Sequence, residues 1–291
     1  MSIVRPPLPG CERLEAIGLD ALDAAAALRR RFDSKYLVAR DALEELIGRL
    51  APTHRMLEID GRRDFEYRTT YFDTDELAAF RDHLQGRRRR LKVRVRQYVD
   101  TAGHCFFELK LRGARGCSVK RRMPHDPRLR RHLTAESLGA LERWVSDAYG
   151  RPAPAPLAPR LDVSYRRATF VAPDRGERLT VDLDVHMAAA GAPGEARLDP
   201  ELAIVEIKSP RGFALAAQEL HALGARPLQT MSKYCVGIVL AHGRSRGNAL
   251  LPVLRHCVGP SETAPVGSAE NQRRAGGRGP GSAPVSYAAS R

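Results

Sequence analysis

Between residues 88 and 208 the chain runs through short segments in which apolar and charged side chains alternate. In RRRRLKVRVRQYV, Leu91, Val93 and Val95 fall on one side while Arg90, Lys92, Arg94 and Arg96 fall on the other. In HCFFELKLRG, Phe107, Leu109 and Leu111 oppose Glu108, Lys110 and Arg112, and in CSVKRRM, Val119 and Met123 oppose Ser118, Lys120 and Arg122. Leu179, Val181, Leu183 and Val185 oppose Arg178, Thr180, Asp182 and Asp184, and Val205 and Ile207 oppose Glu206 and Lys208. Successive side chains on a strand point to opposite faces, so a period of two predicts strands. Strands at 88–99, 104–112, 117–123, 161–171, 179–185 and 203–208, separated by Gly or Pro turns, predict an antiparallel sheet or barrel.

Helical spacing predicts a peripheral Ala-rich helix over 19–30 and further helices over 41–50, 134–149, 213–223 and 232–241. Shorter strands are expected at 31–38, 55–59 and 67–72, and Asp73, Thr74 and Asp75 offer capping side chains for a helix reaching about Leu84. The RPAPAPLAP stretch at 151–159 reads as a stiff connector. The expected class is α+β, an antiparallel β-barrel tunnel with flanking helices.

Every strand thus carries one apolar and one charged face, and a solvated sheet would show the same. Here, however, the charged faces are heavily cationic with a few acids among them, and amphipathic helices are available to cover the apolar face. That combination turns the charged face inward, as the lining of a tunnel. Closely spaced guanidiniums repel and are costly to desolvate unpaired, so such a lining calls for an anion. Phosphate oxygens meet the Arg fork bidentately, and a triphosphate or longer chain would neutralise several cations at once. The interspersed acids Asp182, Asp184, Glu206 and Glu108 would then offer oxygen ligands to a divalent metal bridging the phosphates.

Charge agrees with this reading. The 291 residues hold 48 Lys+Arg against 34 Asp+Glu, a net charge of +14 and a pI near 10.1, which suits a polyanionic partner. Residues 243–291, with seven Arg, two acids and much Gly, Pro and Ser, are expected to form a disordered basic tail. The remaining divisions are an N-terminal helical extension over 1–29 and a basic body over 30–242. Five cysteines, Cys11, Cys105, Cys117, Cys235 and Cys257, lack metal-ligand spacing and read as reduced thiols. No apolar run reaches the roughly 18 residues that span a bilayer, and MSIVRPPLPG lacks a signal-peptide core, so a cytoplasmic protein is expected. Aromatics able to stack on bases are scarce along the cationic strands, which argues against single-stranded nucleic acid.

The segments DSKYLV (33–38), YFDT (71–74), LKVRVRQY (91–98), FELKLRG (107–113), VSYRRATF (163–170), RLTVDLDV (178–185), VEIKS (205–209) and SKYCVGIVL (232–240) occur in the order seen in VTC-domain proteins. These belong to the triphosphate tunnel metalloenzyme, or CYTH-like, superfamily, and the resemblance covers roughly residues 30–241. It implies a polyphosphate polymerase that moves the γ-phosphoryl group of ATP onto a growing polyphosphate chain with Mn2+ or Mg2+. The catalytic cations it implies are Lys35, Arg94, Arg96, Lys208 and Lys233. Lys110, Lys120, Arg166 and Arg178 would bind substrate phosphate. Glu206 would hold the metal, with Asp182, Asp184 and Glu108 as further candidates. ATP and polyphosphate are the implied partners; a separate membrane protein as a further partner, and association of this cytoplasmic protein with the inner face of a membrane, are compatible with the same scheme.

The superfamily's first-strand ExExK motif reads here as Arg31, Asp33 and Lys35. Loss of the first Glu is usual in VTC-type members, so the change favours the polymerase branch over a metal-dependent triphosphate or polyphosphate hydrolase. A non-catalytic polyphosphate-binding module would rest on net charge alone. His83, His104 and His186 have no partner spacing and read as surface residues, and Tyr36 and Tyr71 read as packing residues. The run 87–90 fits either a tunnel mouth or a solvated turn.

Overall fold

The computed structural model describes residues 8–25, 32–101, 103–113, 118–210, 212, 214–228, 231–243 and 250–258. Arg31 of the degenerate first-strand motif, Cys117 and the tail beyond residue 258 lie outside them. Twelve strands form one sheet. They are β1 (Glu15–Ile17), β2 (Phe32–Ala39), β3 (Arg55–Leu57), β4 (Asp64–Asp73), β5 (Leu91–Tyr98) and β6 (Cys105–Arg112), followed by β7 (Ser118–Pro124), β8 (Ala158–Ala172), β9 (Glu177–Ala189), β10 (Glu195–Leu198), β11 (Leu202–Ser209) and β12 (Cys257–Val258). The helices are α1 (Leu19–Ala25), α2 (Arg40–Leu50), α3 (Ala78–Leu84), α4 (Ala135–Tyr149), α5 (Leu215–Ala222), α6 (Lys233–Ala241) and α7 (Leu251–Leu254).

The wall that matters runs β2-β11-β9-β8-β4-β5-β6-β7, with every neighbouring pair antiparallel. The parallel pair β1–β3 sits off this path. The closed barrel expected from the alternation is corrected in one respect: among the described residues no ladder joins β2 to β7. The sheet curls without sealing, and β7 stays an edge strand on which Lys120, Arg121 and Arg122 are exposed. A cationic edge of this kind also discourages pairing with another chain.

Apolar faces of the strands pack outward against helices, as their alternation requires. Val93, Val95, Phe107 and Leu109 form one buried cluster with Leu141 and Val145 of α4. Thr134 caps α4 by accepting from the Ser137 amide at 3.2 Å. Leu43, Leu46 and Leu50 of α2 cover Val38, Leu179, Val181 and Val205 in a second cluster. Asp73, fully buried, accepts from the amides of Ala79 and Phe80 and so anchors the start of α3.

Helix α6 departs from this plan by lying on the inner side of the curl. Tyr234 stacks on Tyr71 with ring centroids 5.0 Å apart. Gly237 faces Leu161 so closely that a Cβ there would lie 2.4 Å from Leu161 Cδ2, and any side chain would force Leu161 to move. This close approach sets the N-terminus of α6 against the charged face. At the other end of the body, Leu250 and Val253 are buried and β12 pairs with β10, so ordered structure continues past residue 242, where the basic tail was expected to begin.

Candidate functional site

Three strands build one half of the charged face. Arg94 donates from Nε to Glu108 at 2.7 Å, and its Nη2 lies 2.6 Å from the same carboxylate, while Lys120 closes on the other oxygen from β7. Glu108 is only 1% exposed. Burial raises its pKa, but the charges of Arg94, Arg96 and Lys120 outweigh that and hold the carboxyl well below its usual range. Arg94 also reaches the Tyr71 hydroxyl at 3.4 Å. Burial opposes ionisation of that phenol, yet Arg94, Arg96 and Lys92 pull its pKa down to about 8. Tyr71 therefore belongs to the charged face rather than serving as packing alone. Tyr36 is buried in the α2 cluster as expected.

The second half repeats the same device with different parts. Arg167 on β8 grips Asp182 on β9 bidentately, Nε to Oδ1 at 2.5 Å and Nη2 to Oδ2 at 2.8 Å, and Lys233 at the start of α6 meets the same carboxylate. Asp182 is fully buried, and although burial raises its pKa, Arg167 and Lys233 bring it down to about 2. Between the two halves stand Tyr67 and Tyr165, stacked at 5.2 Å. Arg96, Arg167 and Lys233 sit 6.0, 5.2 and 4.7 Å from the Tyr165 ring centre, in cation–π range. The Tyr165 hydroxyl is buried and has no hydrogen-bond partner among the described residues. A donor in that condition is ready for a ligand oxygen.

A third group completes the lining. Glu206 on β11 stands opposite Lys35 in the ladder with β2, and 3.3 Å from Lys208. Its carboxyl is opposed by burial but held well below the usual range by Lys208, Lys35, Arg167 and Lys110. The curl thus brings Lys110 of β6 within electrostatic reach of β2 and β11. Lys35 donates to the Met231 carbonyl at 3.1 Å and Lys92 to Ser232 Oγ at 2.9 Å, which ties both strands to the N-terminus of α6. Burial lowers Lys92 and Lys208 to about 8, and lowers Lys233 as well. So many desolvated cations in one place create a field that a polyanion would relieve.

Of the residues nominated from sequence, Lys35, Arg94, Arg96, Lys110, Lys120, Lys208, Lys233 and Glu206 share this face. Arg178 lies on it beside Lys208 in the β9–β11 ladder, but its guanidinium leans 3.4 Å from Asp23 of α1, at the rim. Arg166 is a correction. It faces the opposite side of β8, where Nε meets Asp64 at 3.1 Å, because the face is set by Tyr165 and Arg167, two residues apart. Asp184 is a second correction. The β8–β9 ladder slips between Ser164 and Arg166, leaving Asp184 at φ 52°, where it accepts from Arg40 at 2.9 Å. Among the three histidines, His186 pairs with Glu195 at 3.2 Å, His104 is exposed, and half-buried His83 is pushed down to about 3 by burial beside Lys92.

The metal expectation narrows. Among the described residues no group of three or more His, Cys, Asp or Glu could hold an ion. Glu108 and Asp182 are each clamped by an Arg and a Lys, and Asp184 points elsewhere, so none of the three fits a metal ligand. Glu206, whose ion pair within 4 Å is Lys208 alone among the described residues, does fit. Magnesium-like ions are commonly held by one or two carboxylates together with substrate phosphates. A divalent ion here would accordingly be shared between Glu206 and the phosphate chain.

Several solved structures are similar over part of the chain. A candidate adenylate cyclase from Bacillus halodurans superposes at TM-score 0.45 with 19% identity, covering 69% of this chain and 93% of its own. A Hippeastrum protein with a dominant triphosphatase activity does so at 0.42 and 18%, covering 71% and 94%. An inorganic triphosphatase follows at 0.25 and 18%, covering 64% and 77%. These scores are too low to carry an argument, and no curated protein matches significantly. The family model for the VTC domain, by contrast, matches residues 30–242, most of the chain and the whole charged face. The chain belongs to the VTC domain family.

Proposed function

We propose that this protein is an ATP-dependent inorganic polyphosphate polymerase, passing the γ-phosphoryl group of ATP to the end of a polyphosphate chain held along the cationic face. The observation that carries the proposal is the pair of Arg–carboxylate–Lys clamps, Arg94–Glu108–Lys120 and Arg167–Asp182–Lys233, facing one space with Tyr165 between them. Phosphoryl transfer asks mainly for in-line positioning and for cations where negative charge gathers. Arg94, Arg96, Arg167 and Lys233 would hold the transferring group. Lys35, Lys110, Lys120 and Lys208 would hold the rest of the chain. A divalent ion on Glu206 would neutralise part of the phosphate charge.

Polymer synthesis suits these residues better than hydrolysis does. A terminal phosphate brings its own anionic nucleophile, whereas water needs a base. Glu108, Asp182 and Glu206 are all acidified by neighbouring cations and are poor bases. The same reading has the enzyme working in the cytoplasm and delivering polymer to a separate membrane protein. Among the described residues no helix is long and apolar enough to cross a membrane.

The test is to incubate purified protein with ATP and Mn2+ and resolve the products on a gel. Long polyphosphate is expected, and Arg94→Ala or Lys208→Ala should abolish it while leaving the fold intact. Release of orthophosphate alone would establish the hydrolase instead, and binding without turnover would leave a polyphosphate-binding module.

A further inference from the structure

Beyond Arg96 the charged face of β5 and β6 changes character. Tyr98 follows two residues later on the same face, and Phe106 stands opposite Arg96 in the ladder. Their rings meet edge-on at 6.0 Å, and exposed His104 approaches Phe106 at 6.4 Å. From the edge strand, Arg122 lies over Phe106 at 4.9 Å. Tyr98 and Phe106 are only half-buried, and Arg122 is exposed. Inside this rim, Tyr67 is packed between Tyr98 and Tyr165. The charged face therefore runs directly into a shelf of half-buried aromatic rings and an exposed guanidinium.

At the other end of β5 the picture differs. There the aromatic ring is Tyr149, which is buried and whose hydroxyl donates to the Arg90 carbonyl at 2.7 Å and accepts from the Arg112 amide at 3.0 Å. That ring offers no open face. Arg90 and Arg112 are close enough to depress the pKa of Arg90, burial being the larger cause, and this end is cationic.

We infer that the Tyr98–Phe106–Arg122 rim is a nucleoside subsite that stacks the purine base of the triphosphate donor. This rests on the polymerase reading above for the donor's identity. Phe106 stands opposite Arg96, two positions and about 7 Å along the strand from Arg94, and Arg122 stands opposite Glu108, so the shelf adjoins the first clamp directly. A base stacked on Phe106 and Arg122 would bring the donor's phosphates onto Arg96 and Arg94. Stacking on aromatic and guanidinium planes is tolerant of base identity but absent for a ligand with no base.

Titration of ATP and of inorganic tripolyphosphate into wild type, Phe106→Leu and Arg122→Gln tests this. Phe106→Leu keeps apolar volume, and Arg122→Gln changes an exposed side chain, so one variant stands if the other misfolds. The expected result is an ATP affinity about tenfold weaker in Phe106→Leu and several-fold weaker in Arg122→Gln, with tripolyphosphate affinity in Phe106→Leu unchanged. Equal weakening of both ligands in Phe106→Leu, or of neither, overturns the subsite while leaving the triphosphate reading intact. Wild type that binds neither ligand would remove that reading and this one together.

Discussion

The two clamps solve one problem with different materials. In the first, Glu108 is held by Arg94 and Lys120 from three consecutive strands, and Lys120 is 39% exposed at the sheet edge. In the second, Asp182 is held by Arg167 across a ladder and by Lys233 from helix α6, and both cations are 13% exposed. Each carboxylate keeps a pair of cations in place before any ligand arrives, which spares the site from assembling them at the moment of binding. The first clamp can hydrate its Lys, whereas the second is sealed under α6. Preorganisation should therefore cost and contribute more in the second.

The largest difference should appear on neutralising the carboxylates. Asp182→Asn leaves two buried cations uncompensated and is expected to lose about 3–5 kcal/mol of unfolding free energy in chemical denaturation. Glu108→Gln should lose distinctly less, because Lys120 can turn to water. An equal or larger loss in Glu108→Gln would mean that burial under α6 has no energetic weight.

Next in size is a pH effect carried by the lysines beside the clamps. Lys92 and Lys208 sit near 8 when folded, through burial first, against about 10.4 in an unfolded chain. Between those values the unfolded chain binds more protons, so the stability of ligand-free protein should rise with pH. Over the same interval the folded face loses positive charge, and tripolyphosphate affinity should fall roughly tenfold. Thermal melts and calorimetric titrations at pH 7 and 9.5 should move in opposite directions. Parallel movement would show that these lysines stay charged.

The smallest effect concerns Tyr165, which both clamps approach. Tyr165→Phe removes a buried hydroxyl that lacks a partner among the described residues, so stability should hold or increase slightly, while tripolyphosphate binding weakens about fivefold. A destabilised variant with normal binding would assign the hydroxyl to the protein instead.

The first clamp was legible in the sequence and the second was only half so. Arg94, Glu108 and Lys120 follow from strict alternation along β5, β6 and β7, whose ladders carry no slip. The run VSYRR offers two adjacent arginines, and choosing Arg167 over Arg166 requires the pairing of β8, not its period. Asp184 was lost for a related reason, since the slip in the β8–β9 ladder turns it out of the alternation. The short strands β10 and β12 and the helix α7 showed no periodic signal. Closure of the sheet depends on strand tilt and stagger, which no local pattern encodes. Helix α6 was found at its place in the chain, but its lodging on the inner face depends on the fit of Gly237 to Leu161.

The choice between the two arginines tests the account most directly. Tripolyphosphate should be titrated into Arg166→Ala and Arg167→Ala at pH 7, with wild type as reference. The second clamp predicts a loss of ten- to a hundredfold in affinity for Arg167→Ala, the worth of charge-assisted hydrogen bonds to phosphate, and wild-type affinity for Arg166→Ala, which gives up only its pair with Asp64. Loss of binding in Arg166→Ala with Arg167→Ala unaffected would contradict the assignment of the inner face of β8 and the clamp built on it.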